Sequence, residues 1–190
     1  MSQLYVKRKS VVLASIALLG AVVFVLDWTF KIAGLKIPFP FPPLHILKFD
    51  FMGIPMLLAY FLFGLPAGIV TSLVAFLSIS FRSSFSGFMK FLAEFATIVG
   101  VYIVLRARKP TSDKLKILAM ISGIIVRVAL MDIVNVLLLP IFVPAFYPTH
   151  MAVVVLLPLF SLFNIIQGSI SIFGGFLLYE AVIRRLPSLK

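Results

Sequence analysis

Few side chains in this sequence can do chemistry, and most of them lie inside long apolar runs. Asn135, Asn164 and Gln167 are amides, and each carries both donors and acceptors. Asn164 and Gln167 are three residues apart, which puts them on one helix face. Three such amides would match a neutral heterocycle whose edge alternates carbonyl and N–H groups; interhelical hydrogen bonding is the plainer use of the same residues. Glu94, Arg127 and Asp132 are charged and lie deep in apolar runs, where an unpaired charge is costly. Arg127 and Asp132 are five apart, a poor spacing for pairing on one helix, so Arg127 is expected to meet Glu94 or Asp50 across helices. Substrate contact or proton coupling is the alternative use of these charges. Asp27, beside Trp28 near the end of the first run, reads as interfacial. The segment 34–50 holds four prolines and the aromatics Phe39, Phe41 and Phe49. It reads either as a rigid aromatic flap over a planar ligand or as a loop anchored at the interface. His45 and His150 are the only histidines and Cys is absent, so no metal site is expected.

The elements that position these residues follow from composition. Of 190 residues, 62% are hydrophobic and 12% charged, and the mean hydropathy is +1.19. Such a chain is an integral membrane protein. The net charge of +11 would suggest nucleic acid in a soluble domain, but no hydrated domain remains to carry a basic groove. We therefore expect an all-α membrane protein, one domain over 1–190, with six transmembrane helices near 11–30, 51–63, 65–79, 88–105, 115–142 and 153–183. Gly64, Leu65 and Pro66 read as the turn between the second and third, and Pro158 as a break or kink in the sixth. The first run follows Lys7, Arg8 and Lys9, as a signal peptide would. It continues to Phe30 with no small-residue cleavage site before Asp27, so a retained helix is expected.

With both termini in the cytoplasm, that face collects Lys7, Arg8, Lys9, Arg106, Arg108, Lys109, Lys114, Lys116, Arg184, Arg185 and Lys190. The outer face keeps Lys31, Lys36, Lys48, Arg82 and Lys90. The excess favours cytoplasmic termini in the cell membrane. Small residues at Ser10, Ala14, Ala17, Gly20 and Ala21 form a stripe on the first helix that lets another helix approach closely. No phosphate-binding Gly-rich loop with Lys, no His-Glu-x-x-His and no Gly-x-Ser-x-Gly occurs, so neither ATP hydrolysis by that route nor catalysis is expected. An autonomous proton-coupled carrier and a purely structural membrane subunit remain open on these grounds.

Three segments resemble a known family. The run Leu47-Lys-Phe-Asp-Phe-Met-Gly-Ile-Pro-Met, the run Phe61-Leu-Phe-Gly-Leu-Pro-Ala-Gly and the run Leu157-Pro-Leu-Phe-Ser-Leu-Phe-Asn-Ile-Ile-Gln-Gly resemble the riboflavin-specific S components (RibU type) of energy-coupling factor (ECF) transporters. The resemblance extends from the first span to Tyr179. It implies a high-affinity riboflavin-binding membrane subunit, with riboflavin as cargo and no cofactor, energised by a separate T component and two ABC-type ATPases. It also implies that Asn135, Asn164 and Gln167 read the flavin edge, with Gln167 where the family usually has Lys and Glu94 where Asn is more usual. Ala14, Ala17 and Ala21 would dock on the T component. Stacking beneath Phe39, Phe41 and Phe49 completes the expected site, and Arg82 with Lys90 at the outer mouth would suit the phosphate of FMN as a second ligand.

Overall fold

The computed structural model describes residues 2–42, 44, 46–106, 110 and 112–185, with side chains from Lys9 onward. Of the sequence expectations, His45, Arg108, Lys109 and Lys190 and the side chains of Lys7 and Arg8 lie outside the described residues. The order is α1 (Ser2–Ile32), β1 (Ile37–Pro38), β2 (Lys48–Phe49), α2 (Gly53–Phe63), α3 (Leu65–Ser80), α4 (Ser84–Leu105), α5 (Asp113–Phe142) and α6 (His150–Arg185). In α1 (over Lys9–Ile32), α4, α5 and α6, length and apolar character suffice to cross a membrane. The apolar α2 and α3 are 11 and 16 residues long, shorter than the ~20 residues a perpendicular crossing needs.

Helix starts depart from the apolar runs where polar caps extend them. Ser83 accepts from the Ser86 N–H at the head of α4, and Ser112 from the Leu115 N–H at the head of α5. Each helix therefore begins a few residues before its hydropathy does. Gly64, at φ +88°, makes the turn from α2 to α3 that an L side chain would strain. Pro158 does not break α6, which is helical from His150 to Arg185.

In the packing, α5 lies between α4 and α6, α3 between α4 and α1, and α2 contacts α3 and α6. At Gly100 the α4 and α5 backbones approach so closely that a Cβ would fall 2.6 Å from the Ser122 carbonyl and 2.7 Å from the Gly123 Cα. Ser122 Oγ donates to the Gly100 carbonyl there at 2.8 Å. Small residues at a seam are how membrane helices reach such contact without a hydrophobic driving force. Leu13, Leu18, Ile125, Ile133, Val155 and Phe173 point outward and exposed, as expected of surfaces covered by lipid.

The expected loop 34–50 is instead a small hairpin. Ile37 pairs with Phe49 and Pro38 with Lys48 in antiparallel register, and the Phe39 N–H donates to the Leu47 carbonyl at 2.9 Å. Phe39 and Leu44 are buried in a core with Leu139, Tyr147, Val153 and Phe160, which seats the hairpin on α5 and α6. Burial pushes the Tyr147 phenol above its usual range.

Candidate functional site

Beneath the hairpin, α4, α5 and α6 enclose a cavity of about 450 Å3, within the ~300–1,000 Å3 of small-molecule sites. On α5 the lining residues Arg127, Met131, Asn135 and Leu139 are four apart, one helical face. Phe160, Phe163, Asn164 and Gln167 form the matching face of α6, and Met89, Lys90 and Ala93 that of α4. Lys48 and Asp50 enter from the segment before α2.

The three amides expected to act together all line this cavity, but they stand in different bonding states. Asn135 is 4% exposed and has no hydrogen-bond partner among the described residues, so its amide is open to a ligand. Asn164 accepts from Arg127 Nε at 3.1 Å and donates to the Phe160 carbonyl at 3.0 Å. One N–H remains to point elsewhere. Gln167 is occupied at both ends: Nε2 donates to the Asp50 carbonyl at 2.8 Å, and Oε1 accepts the Asp50 N–H at 3.2 Å. It therefore pins the chain leading into α2 while its side chain forms part of the wall.

Four charges interlock, three at the cavity floor and Glu94 behind it. Lys90 bridges Asp50 at 2.8 Å and Glu94 at 2.9 Å. Arg127, 2% exposed, meets the same Glu94 oxygen at 3.2 Å, and that nitrogen also contacts Thr97 Oγ1 at 3.0 Å. The expected cross-helix pairing of Arg127 with Glu94 is thus present. The second Nη of Arg127 has no partner among the described residues. Glu94 stands behind the wall and does not line the cavity. Its other oxygen faces Gly53 at the start of α2, where a Cβ would come within 2.6 Å of it; the helix N-terminus there favours negative charge.

The aromatic wall differs from the expected flap. Phe39, Phe41 and Phe49 do not line the cavity. Phe39 is buried against Phe163, Phe41 is half-exposed, and Phe49 stacks on the outer side of Phe163 with centroids 4.9 Å apart. The rings that face the space are Phe85, Phe142, Phe160 and Phe163. Nothing in the pattern distinguishes them from lipid-facing phenylalanines.

Asp27, expected at the interface, is fully buried within the protein: it accepts from Lys36 at 2.7 Å, from Arg82 at 2.7 and 2.9 Å and from Ser78 at 2.8 Å. Arg82 is therefore committed to Asp27, with its guanidinium 5.0 Å from the Trp28 ring centre, and it does not line the cavity. Asp132 accepts from Ser161 at 2.6 Å, away from the cavity. On α1, Gly20 packs on Val74 while Ala14, Ala17 and Ala21 lie on the exposed side.

The comparisons agree with this architecture. Residues 11–179 match the family described as ECF transporter, substrate-specific component. Over 175 residues the chain is 33% identical to the protein named Riboflavin transporter RibU of Staphylococcus aureus (strain TCH60), covering 88% of each. A solved chain described as "Structure and mechanism of the S component of a bacterial ECF transporter" matches with a TM-score of 0.75 at 30% identity, covering 94% of this chain and 98% of that one. These relatives are transporter components, not enzymes. A polar-floored, aromatic-walled cavity among membrane helices, together with these matches, places the chain: it belongs to the substrate-specific (S) components of ECF transporters.

Proposed function

We propose that this protein captures riboflavin at the outer face of the cell membrane and delivers it with the help of a T component and two ABC-type ATPases. The observation that carries the reading is Asn135, a buried amide with no partner among the described residues, facing a cavity walled by aromatic rings. A ligand edge with alternating donors and acceptors would pair with this amide in place of cavity water, whereas a ligand that left it unpaired would lose ~1–3 kcal/mol. Asn164 has an N–H to spare beside it, and the ring would stack on Phe160 or Phe163. The similarity to the riboflavin transporter supports the choice of heterocycle.

In this reading α2 and α3 cross the membrane with the four longer helices, giving six spans and cytoplasmic termini. The cavity residues then lie in the first halves of α4 and α6 and from the middle to the end of α5, so the cavity runs from beneath the hairpin toward mid-membrane. The phosphate contact for FMN loses its cations, because Arg82 is held by Asp27 and Lys90 by Asp50 and Glu94. A proton-coupled carrier is less well supported: Asp27, Asp50 and Glu94 are all matched by cations, and Asp132 lies off the cavity.

Uptake in cells tests the whole reading. Riboflavin should accumulate only when the chain is expressed with an energising module, and uptake should need ATP and survive a proton ionophore. Accumulation by the chain alone, abolished by the ionophore, would establish the carrier instead.

A further inference from the structure

We infer that Glu94 is a specificity residue that never touches the ligand: with Asp50 it cancels the charge of Lys90 and Arg127, so that the cavity admits a neutral ring edge and rejects an anionic one. The inference deepens the riboflavin reading and rests on it.

The charged groups that face the cavity are Lys48 and Asp50 before α2, Lys90 from α4 and Arg127 from α5. Helix α6 contributes only amides and apolar groups, and α1, α2 and α3 contribute no lining residue. Lys48 is exposed at the rim, where water screens it. The two inner cations are matched by two carboxylates, Asp50 and Glu94, through contacts of 2.8, 2.9 and 3.2 Å. The lining groups that keep bonding capacity among the described residues are the second Nη of Arg127 and the remaining Asn164 N–H as donors, the Asn135 amide as both donor and acceptor, and the second Asp50 oxygen as an acceptor. Without Glu94, Lys90 and Arg127 would face Asp50 alone, leaving a net positive charge in a low-dielectric site that attracts anions. With Glu94 in place the same donors act on a neutral carbonyl edge, and an anion gains no net charge attraction while it must shed its hydration. Glu94 is built in for this purpose, being fully buried, anchored by both cations and backed by the start of α2 at Gly53.

Riboflavin offers a clean probe, because its N3–H, flanked by two carbonyls, ionises in alkaline solution and turns the same shape into an anion. Riboflavin affinity of the detergent-purified protein should be measured from neutral pH to beyond the ionisation of the free ring. A site that takes only the neutral form keeps its affinity below that pH and loses about tenfold per pH unit above it. Glu94→Gln leaves one uncompensated cation, and its loss above that pH should shrink by about tenfold or more. Glu94→Asp keeps the charge and should restore the wild-type profile. Should Glu94→Gln fail to fold, Asp50→Asn removes the other carboxylate and should flatten the profile likewise. Wild-type affinity that holds through ring ionisation overturns the inference, as does a Glu94→Gln profile parallel to the wild type. Failure of the protein to bind riboflavin at neutral pH would instead overturn the riboflavin reading, so the two failures are distinct.

Discussion

Replacing Gln167 with Ala separates two roles that the sequence alone leaves merged. If Gln167 reads the ligand, its loss weakens binding and leaves the empty protein intact. The geometry assigns it to the Asp50 backbone, through bonds of 2.8 and 3.2 Å spanning 117 residues of chain. Asp50 is 8% exposed, so truncation strands one N–H and one carbonyl, at ~1–3 kcal/mol for each group left without a partner. The adjoining cavity lets water reach part of this site, which favours the low end for each, about 2 kcal/mol in total. Asp50 also holds Lys90, so the loosened segment should weaken riboflavin binding as a secondary effect. Thermal unfolding in detergent, without riboflavin, is the direct assay, and Gln167→Ala should lower the midpoint by several degrees. An unchanged midpoint with a large loss of affinity would refute the pinning role and return Gln167 to the ligand.

Asn135→Ala should do the reverse, losing about 1–3 kcal/mol of riboflavin binding in a fluorescence titration with little change in unfolding, because its amide holds nothing else among the described residues. Gly53→Ala should be damaging: the new Cβ would lie 2.2 Å from Ser171 Oγ and 2.6 Å from Glu94 Oε2, and such overpacking costs about 1–3 kcal/mol. Adding Ser171→Gly should recover part of that loss in thermal unfolding. Ala17→Leu with Ala21→Leu should spare riboflavin affinity and reduce co-purification with the T component and ATPases, since these alanines face outward on α1.

What could be read from the sequence followed from local spacing. Asn164 and Gln167 at i, i+3 and the deep Arg127 were visible as polar positions in apolar helices, and they do reach one cavity. Their bonding was not visible, because it depends on partners far along the chain: Asp50 for Gln167, and Lys36, Ser78 and Arg82 for Asp27. The place of Asp27 beside Trp28 is read from the sequence, whereas only the fold brings two cations onto it. The aromatic flap failed for a related reason. Phe39 and Phe49 stand out in a Pro-rich segment, whereas Phe160 and Phe163 sit in a run that is apolar on every face, where hydropathy cannot tell cavity from lipid. The helix starts at Ser83 and Ser112 are not legible from hydropathy, because a cap is polar and lies outside the apolar run it begins.

The central claim, a cavity built for riboflavin, is tested most directly by the visible absorbance and flavin fluorescence of the detergent-purified chain. A yellow protein carrying close to one riboflavin per chain, its fluorescence quenched on binding, is the predicted result. A colourless protein that leaves the fluorescence of added riboflavin unchanged at micromolar concentration would contradict it.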